Sequence, residues 1–178
     1  MSEERHVLAI CFDCGDTLVD EGTEVKNGAG ATLRAELIPG AASTVRELHR
    51  RGYPLALVAD GPRATFENVL HQHDLWHEFT VFAISGDLGV EKPAPQIFYH
   101  ALNQLQIAPE RYNCVVMIGN NLARDIRGAN QLGLISVWLD WAPRRSKVPA
   151  DALETPDHTV RHPHEILDLI ESIERQHL

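Results

Sequence analysis

The chain has 178 residues, of which 44% are hydrophobic, and a formal net charge of −9. That length supports one domain with its own core, and the acidic balance argues against a nucleic-acid partner. The first apolar run spans about seven residues, too short for a membrane span, and the odd set Cys11, Cys14 and Cys114 suits reduced thiols, so a cytoplasmic protein with no membrane partner is expected.

In chain order, the first predicted element is the run VLAICF (7–12), which does not alternate with polar residues. LALVA (55–59), VVMI (115–118) and LISVWL (134–139) have the same character, VFAIS (81–85) is a weaker example, and HTV (158–160) reads as an edge strand. Such runs, bounded by Gly, Pro and Asp, are strands buried on both faces, as in parallel sheets. Helices are predicted between them. Val45 and Leu48 share a face before Arg51-Gly52, and Ile97, Phe98, Ala101, Leu102 and Leu105 form a stripe in a helix opened by Pro93. Ile126, Ala129 and Leu132 precede Gly133, and Ile166, Leu167, Ile170 and Ile173 mark the last helix. This alternation predicts an α/β, Rossmann-like parallel sheet flanked by helices, as one domain over residues 1–178. The polar, Gly-rich segment 19–39 contains Asn27-Gly28, which predicts a tight hairpin turn, and reads as a flap and connector.

In such a sheet the site lies outside the carboxyl ends of the strands. Those ends carry Asp13, Ala59-Asp60-Gly61, Ser85, Gly119-Asn120-Asn121 and Asp140. Asp13 followed by Thr17-Leu18, Glu91-Lys92-Pro93 before a helix, and the stretch from Gly119-Asn120 through Asp125 together resemble three motifs of the haloacid dehalogenase superfamily, in the right order and across nearly the whole chain. The resemblance implies Mg²⁺-dependent hydrolysis of a phosphate monoester through an aspartyl-phosphate. Asp13 would be nucleophile and metal ligand, Lys92 would hold Asp13 and the phosphate, and Asp125 would hold the metal or its water shell. The Gly15 carbonyl and Asn120 complete the implied metal set. Gly15, Ala59, Asp60 and Gly61 fall where phosphate is held. A cation and a lysine are needed because a carboxylate attacking a phosphate dianion meets like-charge repulsion.

Three positions depart from the family pattern. Where family phosphatases carry an acid/base aspartate two residues after the nucleophile, this chain has Gly15. Where the second motif supplies a hydroxyl, it has Ala59. Where a carboxylate ligates the metal, it has Asn120, a neutral oxygen that predicts weak Mg²⁺ binding. Asp16 is the sequence-level candidate for the missing acid if a helical turn follows Asp13, and a loop brace otherwise. Two readings therefore stand: a phosphatase with altered acid/base chemistry, or a catalytically silent protein that binds a phosphorylated ligand or a protein partner. Dehalogenation ranks last, because dehalogenases bind their apolar substrate under a lid. The stretches 14–58 and 60–91 are too short for a lid domain, and lidless family members oligomerise or act on large substrates. The implied partner is a phosphorylated small molecule or macromolecule, with a homo-oligomer admitted. Outside these motifs, Cys11 and Cys14 point to opposite faces of a strand, and His71, His73 and His77 have no common zinc spacing. Trp141 to Lys147 forms a basic island expected at the rim of the site, either to attract an anion or as an ordinary solvated loop.

Overall fold

The computed structural model describes residues 5–177. Its strands are β1 (Ala9–Phe12), β2 (Val25–Lys26), β3 (Thr32–Arg34), β4 (Leu55–Ala59), β5 (Val81–Ile84), β6 (Val115–Gly119), β7 (Ile135–Leu139) and β8 (His158–Val160). Its α-helices are α1 (Ala41–Arg50), α2 (Arg63–Gln72), α3 (Ser85–Leu88), α4 (Pro95–Gln104), α5 (Arg127–Leu132) and α6 (Glu165–Arg175). Six strands form one sheet in the order β5-β4-β1-β6-β7-β8, and every pairing in it is parallel. β2 and β3 form a separate antiparallel hairpin. The α/β, Rossmann-like reading holds.

The continuous apolar runs are explained by alternation within each strand. Ile10, Phe12, Leu55, Leu57, Val116 and Ile118 face one side, where they pack with Val45 and Leu48 of α1, Val69 and Leu70 of α2, and Ile166 and Ile170 of α6. Ala9, Cys11, Ala56, Val58, Val115 and Met117 face the other side, against Ile97, Phe98, Ala101 and Leu102 of α4 and Ala129 of α5. With helices on both faces every position of β1, β4 and β6 is buried, so no polar alternation is required there. Cys11 and Cys14 join opposite core clusters, and all three thiols are free and buried. Burial alone pushes the Cys11 thiol up to about 12.

Two local readings change. α4 starts at Pro95 rather than Pro93, with Pro at the first helical position, where a missing N–H costs nothing. The hairpin turn is wider than Asn27-Gly28 alone. The Asn27 side chain accepts from the backbone N–H groups of Ala29 and Ala31, at 3.0 Å each, and Gly30, at φ +84°, takes the left-handed position. The hairpin is docked on α2: Thr32 N–H donates to Thr65 Oγ1 at 3.0 Å, and the Asn68 amide donates to the Thr32 carbonyl at 2.9 Å. No helix among the described residues is long and apolar enough to cross a membrane.

Candidate functional site

Strands β1, β4 and β6 end side by side, which delivers residues 13, 60 and 120 to one edge of the sheet. A cavity of about 320 Å³ opens there, lined among others by Asp13, Gly15, Glu21, Lys92, Asn120 and Asp125. At its floor the Lys92 ammonium donates to Asp13 Oδ1 at 2.9 Å, to Asp125 Oδ1 at 2.7 Å and to the Val58 carbonyl at 2.8 Å. All three of its protons are used. Burial alone would lower the Lys92 pKa, but the carboxylates of Asp125, Asp13 and Asp60 override it and hold the ammonium charged. Burial, then the neighbouring Asp13 charge, raises Asp125, while Lys92 pulls it back.

Asp125 reaches the floor from a π-helical turn, Leu122–Ile126, that runs into α5. The Asn121 carbonyl collects the N–H groups of Arg124, Asp125 and Ile126, and Asn121 N–H donates to Asp125 Oδ2 at 3.0 Å. Gly119 makes this possible, since a Cβ there would lie 2.2 Å from Asp125 Oδ2. Wide helical turns of this kind concentrate at functional sites.

The Asn120 amide has two orientations with different meanings. With nitrogen inward it donates to Asp13 Oδ2 at 2.9 Å and to the Gly15 carbonyl at 3.2 Å. With oxygen inward, three oxygens face one another at that spacing, which is repulsive unless a cation lies among them. Neighbouring ligands of an octahedral ion with bonds of ~2.1 Å are themselves ~3 Å apart. Asp13, the Gly15 carbonyl and Asn120 therefore fit a small hard cation, with Asp125 behind them. Both Asp125 oxygens are already engaged, by Lys92 and by Asn121 N–H. Among the described residues no three His, Cys, Asp or Glu side chains cluster as a metal site, so the donor set is poor in charge.

The other predicted positions are placed differently. Asp16 is fully buried and absent from the cavity wall. It adopts φ +54°, so the chain after Asp13 does not form the helical turn that would bring it round, and its carboxylate turns to Arg144. Arg144 donates to it twice, Nε to Oδ2 at 2.8 Å and Nη2 to Oδ1 at 2.7 Å. Asp16 braces the loop. Ala59 is fully buried and does not line the cavity. Asp60 lines it but is a brace as well, accepting from Lys92 N–H at 3.0 Å and from Arg124 at 3.1 Å. The Gly61 N–H, expected to receive phosphate, donates to Ser85 Oγ at 2.8 Å. The basic island is largely neutralised by local acids: Arg144 by Asp16 and Asp20, Arg145 by Glu21, and Lys147 by Asp140. The histidines of 71–77 have local partners. His71 stacks on Trp76, His77 meets the edge of His71, and His73 Nε2 lies 2.7 Å from the Ala35 carbonyl.

Sequence reasoning missed Glu21. It opens a 3₁₀ turn, Glu21–Thr23, lines the cavity beside Asp13, and pairs with Arg145 at 3.2 Å. Burial first, then the Asp16 charge, raises its carboxyl pKa, Arg145 opposes the rise, and Asp13 adds to it. Its only sequence signal is a clause of acids, Asp20-Glu21, just past the loop.

Comparison with known proteins identifies the family of the chain. A family model described as haloacid dehalogenase-like hydrolase matches residues 25–133. A glyceraldehyde 3-phosphate phosphatase of Methanopyrus kandleri is 31% identical over 76% of this chain and 57% of its own length. A phosphoserine phosphatase of Thermus thermophilus is 36% identical over 70% of this chain and 47% of its own. The chain thus spans about half the length of these curated relatives. A HAD phosphatase structure from Thermococcus onnurineus superposes with a TM-score of 0.66 at 26% identity, covering 76% of this chain and 59% of that one.

Proposed function

From a chain that belongs to the haloacid dehalogenase-like hydrolases, we propose a phosphohydrolase that acts on a phosphate monoester through a phosphorylated Asp13. One observation carries this reading: Lys92, with its side chain 2% exposed, is clamped between Asp13 and Asp125 on the floor of an open cavity. A carboxylate with a fixed cation at its side can approach a phosphate dianion that would otherwise repel it. Thr17 Oγ1 donates to Asp13 Oδ2 at 3.3 Å and helps fix the orientation of the attacking group. Asp60 and Arg124 tie the Lys92 segment to the end of β4, so the ammonium keeps its place as charge develops.

Mg²⁺ is the cofactor proposed, held by Asp13, the Gly15 carbonyl and Asn120, with Asp125 behind. Once bound it would offset charge on the transferring phosphoryl group. The flap of residues 19–39 takes the place of a lid domain, and the proposed substrate is a phosphorylated small molecule or a phosphorylated macromolecule whose own bulk excludes water. A cytoplasmic location and a homo-oligomer belong to the same proposal.

A second reading, binding of a phosphorylated ligand or a protein partner without turnover, draws support from the buried Ala59 and from the engaged Gly61 N–H. One assay separates the two. Phosphate release from a panel of esters in Mg²⁺, abolished in Asp13→Asn, is the expected result. A folded wild-type protein that releases none from any ester would leave only the binding reading.

A further inference from the structure

The glycine at position 15 leaves a space, and the structure fills that space with a carboxylate. A Cβ built on Gly15 would lie 2.4 Å from Glu21 Oε1, 3.0 Å from its Cγ and 3.1 Å from its Cδ. The oxygen stands about as far from that point as an aspartate's own carboxylate oxygens stand from their Cβ. Any side chain at position 15 would have to displace it. Gly15 and Glu21 both line the cavity that contains Asp13.

The approach is built rather than incidental. Asp16 takes a left-handed turn at φ +54° and is locked by two hydrogen bonds from Arg144. Its Oδ1 also accepts from Glu21 N–H at 3.0 Å, which fixes where residue 21 begins. Asp20 caps the 3₁₀ turn through Gly22 N–H at 2.8 Å. From that anchored start the Glu21 side chain returns over Gly15, and Arg145, which lines the same cavity, holds it with Nη2 3.2 Å from Oε2 and 3.5 Å from Oε1.

We propose that Glu21 is the catalytic acid/base of this site, supplying from six residues downstream the carboxylate that Gly15 lacks. The inference rests on the phosphohydrolase reading above. In the first half-reaction an Asp13 oxygen forms a bond to phosphorus, the ester P–O bond breaks, and the departing oxygen takes the proton of the Glu21 carboxyl. In the second, water attacks phosphorus and gives a proton to the Glu21 carboxylate, and the bond to Asp13 breaks. Ester plus water becomes alcohol plus inorganic phosphate, and both carboxyl groups return to their starting state. Asp16 and Arg144 are positioning residues in this scheme.

The test uses Glu21→Gln, which keeps shape and loses the transferable proton, in Mg²⁺. Turnover of an alkyl phosphate should fall ~10²–10⁴-fold, the range one positioned acid/base group supplies. With p-nitrophenyl phosphate, whose leaving group needs no proton, the variant should release a burst of about one nitrophenolate per enzyme and then stall, with phosphate on Asp13 recovered after acid quench. Relocating the carboxylate in Gly15→Asp/Glu21→Ala should restore alkyl-phosphate turnover to within about tenfold of wild type, whereas Glu21→Ala alone should stay low. A well-folded Glu21→Gln that turns over the alkyl ester within about threefold of wild type, with no burst, overturns the assignment and leaves the phosphohydrolase reading standing. A wild type silent toward every ester overturns both. If Glu21→Gln fails to fold, the relocation variant decides, since a folded but inactive Gly15→Asp/Glu21→Ala overturns the inference.

Discussion

Two ion-pair clusters flank the loop of residues 13–16, and they differ in where the cation stands. In the first, Lys92 is buried between two carboxylates and its partners Asp13 and Asp125 look into the cavity. In the second, Asp16 is buried but Arg144 is 34% exposed, and its planar fork takes both oxygens of Asp16 while also meeting Asp20. A buried ammonium between two acids is a costly arrangement, and with its three protons engaged it offsets the charge of Asp13 rather than binding a phosphate directly. A bidentate guanidinium at the surface mainly fixes geometry. In the proposed reaction the first cluster carries the chemistry, and the second sets the path of the chain that brings Glu21 back over Gly15.

Breaking the first cluster should have the largest effect. Lys92→Met leaves Asp13 and the buried Asp125 facing each other without a cation, which should cost about 3–5 kcal/mol, or on the order of ten degrees in Tm, and remove phosphate release. Calorimetry with an ester assay checks both, and an active variant of unchanged Tm would show that Lys92 is dispensable to the cluster. Breaking the second should be milder. Arg144→Gln strands a buried acid, but the arginine is partly solvated, so about 1 kcal/mol is expected. Its activity loss should follow the alkyl-over-aryl pattern of Glu21→Gln, and the double variant should lose little more than Glu21→Gln alone. Fully additive losses would separate Arg144 from Glu21.

Asn120→Asp sharpens the comparison from the cation side. The added charge should lower the half-saturating Mg²⁺ concentration about tenfold from a millimolar starting range, a typical size for changes at metal sites. A magnesium titration of activity, or of Tm, reads it, and micromolar half-saturation in the wild type would contradict the charge-poor set. The smallest effect concerns Glu21 itself. Its carboxyl pKa is raised in the folded protein, first by burial and then by Asp16, so the native state binds this proton more tightly than the unfolded chain. Stability from this group is full below the ordinary carboxylate value and is lost as pH rises through the raised one. Glu21→Gln should therefore melt slightly above wild type at neutral pH, with the gap closing under acid conditions. A variant less stable than wild type at neutral pH would mean that the Arg145 contact outweighs burial.

Much of the fold was legible. The apolar runs at 55–59, 115–118 and 134–139 coincide with strands or miss by one residue, because burial on both faces leaves a continuous signal that needs no neighbours to be read. The helical stripes were equally plain, and the structure brings Asp13, Lys92 and Asp125, each singled out by motif and strand end, into contact. Of the two readings of Asp16, the substitute acid fails and the loop brace holds, for a definable reason. A regular helical turn after Asp13 would have carried it to the site, but Asp16 takes a left-handed φ of +54° and its carboxylate is held by Arg144. The basic island does reach the rim, where Arg145 lines the cavity, but the pairing of Arg144 and Arg145 was not legible, because their partners Asp16, Asp20 and Glu21 lie more than 120 residues away in sequence.

The sequence by itself determined the order of strands and helices, the placing of Asp13, Asp60 and Asn120 at strand ends, and the absence of a side chain at position 15. These follow from period, polarity and residue type, which are local. Only the tertiary structure decided what stands in the gap at Gly15. That outcome depends on one left-handed residue, on an arginine 128 positions further along the chain, and on a side chain folding back over the loop it follows. Long-range ion pairs leave no periodic trace, because each partner taken alone looks like an ordinary surface charge.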